Sequence, residues 1–339
     1  MPRSRFTLRL DAIRHNAGVL RRVLGTSELW AVVKADGYGH GAADVARAAI
    51  DGGASALCVA SVSEAVELRA AVPGVRLLVL GPTSAADYST ARAAGLELVV
   101  ARAGPLPEGI PLHLKLDTGM GRWGLAELPP PGAEVVGLMS HLASADCDAS
   151  FTEEQTRRFL AATAAHAQLT RHLANSAGAL LFPETRLDAA RCGIALYGIS
   201  PFGDAPDEHG LRPALRWDSQ LAQVKRLEPG ESTGYGRRYV AREPTWIGLV
   251  PVGYADGFRR GLTGTEVLVD GTRRRVLGTV SMDSFAVELG EERRGAPVTL
   301  VGDGVLAEEH ARVLGTINYE ITCAIARDSR RARRRLVGG

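Results

Sequence analysis

The sequence predicts an α/β fold: an N-terminal (β/α)8 TIM-like barrel plus a C-terminal, mostly β domain. Two observations predict it. Up to about Pro213, short apolar strand-like runs alternate with alanine-rich helical stretches at intervals of very roughly 20 residues, the rhythm of a barrel. Beyond Pro213 the helices give way to closely spaced strand-like segments, divided by turn signals such as Asp270-Gly271. A length of 339 residues suits one large barrel with an appendage. The expected organisation is a strand over 1–9 that packs with the C-terminal domain, a barrel over 10–213, and a β domain over 214–339 ending in a basic tail at 327–339.

Taken in order, Phe6 to Leu10 alternates like a strand, and Asp11 is placed to cap a helix running to about Val23. Barrel strands are expected near 29–33, 55–60, 75–80, 96–100, 111–116, 134–139, 171–174 and 186–190. Helices are expected from Ala42 to Ile50, Ser63 to Val72 and Thr152 to Leu169. In the second domain the strand-like segments are 217–227, 234–240, 245–253, 265–270, 273–280, 284–289 and 297–301, with one helix from Ala307 to Leu314.

Barrel chemistry sits at the carboxyl ends of the strands. The polar residues just beyond the proposed strands are Lys34, then Lys115, Asp117 and Arg122, His141, Asn175 and Ser176, and Arg191 with Gly193 and Ile194. Reactive side chains gather where the architecture needs them.

The first of these residues stands out. Ala31-Val32-Val33 is apolar, Lys34 comes next, and the chain drops into the glycine-rich loop Ala35-Asp36-Gly37-Tyr38-Gly39-His40-Gly41. Of 40 basic residues, 37 are arginines; only Lys34, Lys115 and Lys225 are lysines. A lysine at a strand end then points to a task that guanidinium cannot perform, because an amine can lose its proton and condense with a carbonyl.

Composition excludes other classes. Apolar content of 45% and charged content of 23% are those of an ordinary globular chain. No apolar run reaches about 18 residues, and the N-terminus has no signal-like apolar core, so a cytoplasmic protein is expected. Four scattered cysteines, Cys58, Cys147, Cys192 and Cys323, form no Cys-x-x-Cys spacing; most of them are read as small core residues, with no metal site. The six arginines between Arg327 and Arg335 are read as a solvated end, and nothing resembles a nucleic-acid module or a membrane anchor.

The Lys34 stretch closely resembles the pyridoxal-phosphate lysine motif of the alanine racemase family. Further stretches resemble that family in its own order: Lys115–Arg122, Met139–Asp146, His172–Gly178, Arg191–Gly198, Gly234-Tyr235-Gly236, Pro251–Gly257 with Ser281-Met282-Asp283, and Ile317–Glu320. The resemblance covers about residues 29 to 323. It implies alanine racemisation by two bases on opposite faces of the substrate, Lys34 and Tyr235, the latter from the partner of a head-to-tail homodimer. Pyridoxal 5'-phosphate is the implied cofactor, with Tyr38, His141, Asn175, Ser176, Arg191, Gly193, Ile194 and Tyr319 around it and Lys34 bound to it. Arg122, Tyr254, Met282 and Asp283 are the implied substrate contacts. His141, backed by Arg191, would assist Tyr235, and Arg191 would donate to the pyridine nitrogen, which weakens the ring as an electron sink and disfavours side reactions. Lys115 is a position that some members carbamylate.

The sequence departs from the family pattern in three places. Ser281 stands where cysteine is common, Trp123 replaces a small aliphatic residue, and 18 residues separate Arg122 from His141, which implies a trimmed helix. Other readings are a serine or broad-specificity racemase, a barrel decarboxylase of basic amino acids, whose cysteine signature is missing, and a non-catalytic pyridoxal-phosphate barrel, which would lack the β domain.

Overall fold

The computed structural model describes residues 3–325, 328 and 330–339. The contacts divide the chain into two compact units, Ala12–Arg212 and Met1–Asp11 with Pro213–Gly339. Strand β1 (Ser4–Arg9) belongs to the second unit. In the first, eight parallel strands close a barrel in sequence order: β2 (Glu28–Val32), β3 (Ala56–Val59), β4 (Arg76–Val79), β5 (Glu97–Val100), β6 (Leu112–Lys115), β7 (Val135–Met139), β8 (Thr170–His172) and β9 (Ala189–Cys192). Strands buried on both faces read as mostly apolar runs, and seven of the eight fall where expected, including β8, whose Thr170-Arg171-His172 is itself polar. The eighth lies at 189–192 rather than 186–190, so Arg191 is inside the strand and not beyond it.

Helix Leu10–Leu24 leads into β2, and helices Ala42–Asp51, Val62–Ala71 and Ala149–Thr163 connect successive barrel strands. The first starts at Leu10, so Asp11 sits in its first turn, where a carboxylate favours the positive end of the helix dipole, rather than at the cap. Between Lys115 and Val135 there is no helix among the described residues; the loop is pinned by a Leu116–Leu125 bridge. The Arg122–His141 segment is trimmed, as its length implied.

The second unit continues with β10 (Leu215–Gln220), β11 (Gln223–Leu227), β12 (Ser232–Thr233), β13 (Tyr239–Val240), β14 (Thr245–Val250), β15 (Glu266–Val269), β16 (Thr272–Leu277), β17 (Phe285–Leu289), β18 (Pro297–Val301) and β19 (Ala332–Val337). Its main sheet runs β11-β14-β17-β16-β15-β18-β10-β1-β19, and β12 pairs with β13 alone. Helix Ala307–Leu314 lies where expected, and a short helix, Asn318–Cys323, comes after it.

Four expectations change. The run 217–227 is two strands, broken at Leu221-Ala222. The run 234–240 is not one strand: Gly234 and Gly236 take positive φ, and Tyr235–Arg237 form a single 3-10 turn. The basic tail is not a loose end. Ala332–Val337 pairs in parallel with β1, using the edge that β1 leaves open, while Arg333, Arg334 and Arg335 stay exposed. Arg327 of that tail lies outside the described residues. Finally, only Cys58 and Cys192 are buried; Cys147 and Cys323 are exposed. Among the described residues no helix is long and apolar enough to cross a membrane.

Candidate active site

Strand β2 is sealed by its two neighbours, and its last residues are apolar and buried, so the chain can only turn out at the barrel mouth after Val33. There Lys34 emerges, half-buried. The next four residues, Ala35, Asp36, Gly37 and Tyr38, all take positive φ (52°, 48°, 64° and 52°), a left-handed turn. Each non-glycine residue in that region costs roughly 1–2 kcal/mol, so such a turn persists only where the surroundings hold it. Here they do. Asp36 Oδ1 accepts from Ala42 N–H at 2.6 Å, and Glu64 accepts from Ala35 N–H at 2.8 Å and from Ala60 N–H at 2.7 Å. Glu64 does not stand out in the sequence, because it reads as an acid at the start of the helix expected from Ser63.

The turn directs the Tyr38 ring inward, where it packs, tilted by 31°, with its centroid 4.9 Å from that of Tyr197, whose hydroxyl donates to Val32 O at 2.9 Å. The Tyr38 hydroxyl lies against Gly193: a Cβ there would stand 2.3 Å from Tyr38 Oη. Gly193 N–H donates to Ser176 Oγ at 3.1 Å and Ala195 N–H to the same oxygen at 3.4 Å. Ile194 is buried beside them. Two hydroxyls and two backbone N–H groups therefore cluster together, the N–H groups on Ser176 Oγ and the Tyr38 hydroxyl against Gly193. Asn175 caps the helix Ser176–Leu181, accepting from Gly178 N–H at 2.9 Å, which fixes Ser176 in place.

Arg191 is nearly fully buried. Its Nη1 donates to His172 Nδ1 at 2.7 Å and His172 O at 2.8 Å. Its Nη2 donates to Ser140 O at 2.8 Å and Leu173 O at 3.0 Å, and reaches His141 Nδ1 at 3.3 Å. No acceptor among the described residues engages Nε–H. Burial lowers its pKa to about 10, so it remains a cation at neutral pH.

His141 is the meeting point of the charges. Its pKa is held well below the ordinary value, first by loss of solvent and then by Arg191, Lys115, Arg122 and Lys34. Because an arginine can only donate, His141 Nδ1 is the acceptor and its Nε2 carries the proton. Lys115 is buried and lowered to about 8, by desolvation first and then by Arg191 and Arg122. Arg122 is exposed and lies 5.7 Å from the ring of Trp123. The loops carrying these groups are tied by Gln155, which the sequence did not betray: it donates to Thr118 Oγ1 at 3.2 Å and His141 O at 3.1 Å, and accepts from Ala143 N–H at 2.8 Å. Four cations around a neutral imidazole make a site for anions.

The remaining expected residues belong to the other unit. Tyr235, Tyr254 and Met282 are exposed there, at 72%, 41% and 52%. Tyr235 rides on its 3-10 turn, whose carbonyl accepts from Thr279 Oγ1 at 2.9 Å. Tyr254 and Met282 are neighbours through backbone: Tyr254 N–H donates to Ser281 O and Ala255 N–H to Met282 O, both at 3.1 Å. Only glycine fits at 253, since a Cβ would stand 2.2 Å from Ser281 O. The Asp283 carboxylate is engaged by Arg331 at 2.7 Å and by Arg3 at 3.4 Å. Half-buried Tyr319 lies in the first turn of the helix Asn318–Cys323.

Comparison with known proteins agrees with this architecture. Residues 8–201 match the family model of the alanine racemase N-terminal domain, and 214–334 that of the C-terminal domain. Alanine racemase of Beutenbergia cavernae is 41% identical, over 94% of each chain, and alanine racemase 1 of Bacillus subtilis is 39% identical, over 94% of this chain and 89% of its own. The crystal structure of biosynthetic alanine racemase from Pseudomonas aeruginosa superposes with a TM-score of 0.91 at 38% identity, over 99% of both chains. That of alanine racemase from Bacillus anthracis with bound L-Ala-P gives 0.86 at 31%, over 100% of this chain and 96% of that one. The chain belongs to the alanine racemase family.

Proposed function

We propose that the protein interconverts L-alanine and D-alanine with pyridoxal 5'-phosphate, as a head-to-tail homodimer with shared active sites. The observation that carries this reading is the barrel mouth itself, where one half-buried lysine, a tyrosine–serine–glycine cluster and a buried arginine share a field of cations. The residues fit the cofactor. The Tyr38 and Ser176 hydroxyls and the Gly193 and Ala195 N–H groups, with Ile194 beside them, are donors of the kind a phosphate takes, and glycine at 193 leaves room for the Tyr38 hydroxyl. Arg191 Nε–H would suit a ring nitrogen, and Lys34 an aldehyde carbon. Asn175 would serve by holding Ser176, and Tyr319 would add a further hydroxyl. When bound, pyridoxal phosphate supplies the electron sink that acidifies the substrate's Cα–H.

The chain's own residues would do the rest. Racemisation removes a proton from one face of Cα and returns one to the other, so a group is needed on each face. Lys34 would serve one face and the partner subunit's Tyr235 the other. A free phenol has a pKa near ~10, so Tyr235 needs a donor that stabilises its oxygen once deprotonated. His141 Nε2–H, with Nδ1 tied to Arg191, is that donor. Arg122 and the Met282 amide would hold the substrate carboxylate, and Tyr254 would limit the size of its side chain. Asp283, engaged by Arg331 and Arg3, would shape the Met282 loop rather than bind substrate. A carbamate on Lys115 would place a negative charge beside Arg191 and Arg122, relieving the repulsion that lowers its pKa.

The test uses mixed dimers. Lys34→Ala and Tyr235→Ala chains, each inactive alone, should regain activity when mixed, because the hybrid holds one intact site of its two. No recovery would refute the shared site. A panel of alanine, serine and larger amino acids, run on the wild type, should show turnover concentrated on alanine; a flat profile would favour a broad-specificity racemase.

A further inference from the structure

A TIM-type barrel interior is ordinarily filled by layers of branched aliphatic side chains. Here a column of polar groups threads it. Glu97 opens β5 at the amino-terminal end of the barrel, far along the strands from the mouth. Its Oε2 lies 2.9 Å from His113 Nε2; His113 Nδ1 lies 2.8 Å from His172 Nε2; and His172 Nδ1 lies 2.7 Å from Arg191 Nη1. Both histidines are fully buried. Arg76 grips Glu97 with two hydrogen bonds, at 2.9 and 3.1 Å. Trp30 lies against both rings, 5.7 Å from His113 and 4.5 Å from His172.

The proton positions emerge by elimination. Arginine can only donate, so His172 Nδ1 is bare and its proton is on Nε2. That proton points at His113 Nδ1, which must then accept. The His113 proton is therefore on Nε2, facing a carboxylate that can only accept. Every bond runs one way, from Arg191 to Glu97. Reversing the tautomers would set His172 Nδ1–H against Arg191 Nη1–H at 2.7 Å, donor to donor. Protonating both rings would bury two more cations beside Arg191. The fold also reserves room for the column: a Cβ on Gly137 of β7 would stand 2.2 Å from His113 Nδ1.

We propose that Glu97 and His113 are positioning residues for the racemisation, setting the tautomer of His172 so that it holds the Arg191 guanidinium as a fixed, charged donor toward the cofactor ring. This rests on the role proposed for Arg191 at the cofactor. The carboxylate acts from the amino-terminal end of the barrel, three hydrogen bonds from the mouth. Glu97→Gln keeps the shape but not the pattern, since its amide nitrogen must face either His113 Nε2–H or an Arg76 N–H.

Neutron diffraction from the purified protein locates the protons directly, whatever the reaction proves to be. The proposal expects them on Nε2 of both His113 and His172 in the wild type and at least one displaced in Glu97→Gln. In the same variant kcat should fall about tenfold in both directions, with a smaller change in KM for alanine, because the misplaced group is not a substrate contact. Glu97→Asp, which keeps the charge, should retain the wild-type tautomers and most of kcat. A proton on His172 Nδ1 in the wild type would overturn the proposal, and so would a Glu97→Gln enzyme of unchanged kcat. Should Glu97→Gln fail to fold, Gly137→Ala, which displaces the His113 ring with every polar group retained, is expected to reproduce the loss of kcat; an unchanged kcat there would likewise overturn it.

Discussion

Lys115 shows how much a single residue's surroundings can decide. Buried beside Arg191 and Arg122, its amine has a pKa of about 8, so at pH 7 roughly a tenth of it is the neutral form that attacks carbon dioxide. The cation gives up one proton to reach the neutral amine, and formation of the N–C bond to carbon dioxide releases a second, which would turn a repelled cation into an anion among cations. Electron density at Lys115 is expected to extend beyond Nζ by three atoms; density ending at Nζ in crystals grown with bicarbonate would count against it. The other reactive residues divide by how local their signal is. Lys34, His141 and Ser176 come directly after apolar strands and so are readable from sequence. Glu97, His113 and Gln155 are not, because their partners come from other strands and helices, and nothing in their own neighbourhood announces them.

At the scale of elements, most barrel strands are readable because burial on both faces makes them mainly apolar runs. The eighth is the exception. Its centre carries Arg191, a residue that pattern reading pushes outside a buried strand, so the pattern places the strand too early. The tail strand β19 is unreadable for the opposite reason: an exposed edge strand of arginines has no apolar face to betray it. The turns carrying function rest on backbone that side-chain patterns do not encode, such as the left-handed turn after Lys34. The connection after β9 offers a direct test. Gly193→Ala would put a methyl group 2.3 Å from Tyr38 Oη and displace that hydroxyl. It should weaken cofactor affinity at least tenfold, read by titrating the cofactor-free protein spectroscopically, while Gly132→Ala, an exposed control whose added methyl meets nothing nearer than Glu134 Oε2 at 3.9 Å, changes affinity little. Equal affinity in the Gly193 variant would remove this cluster from the account.

For the whole molecule, the buried ionisable groups predict sensitivity to acid. His113, His141 and His172 are all held below the ordinary 6.5, chiefly by burial. As pH falls below about 6.5 the unfolded chain takes up protons that the folded chain refuses, so stability declines. Glu97 adds to this with the same sign. Burial alone would raise its pKa, but hydrogen bonds from His113 and Arg76 hold it at about 2, so its contribution, present above 4.5, is lost as pH falls toward 2. Each proton taken up only by the unfolded chain costs about 1.4 kcal/mol per pH unit. Urea midpoints should therefore drop between pH 7 and 5 and continue to drop below 4.5; a level profile from pH 7 to 4 would contradict the neutral, buried histidines.

Whether Lys34 carries the chemistry is the central claim, and one measurement meets it directly. The purified protein, reduced with borohydride and mapped by peptide mass spectrometry, should carry a reduced pyridoxyl adduct on Lys34 and on no other lysine, with D-alanine formation abolished in step. An adduct on Lys115 or Lys225, or none in protein that still makes D-alanine, would contradict the account.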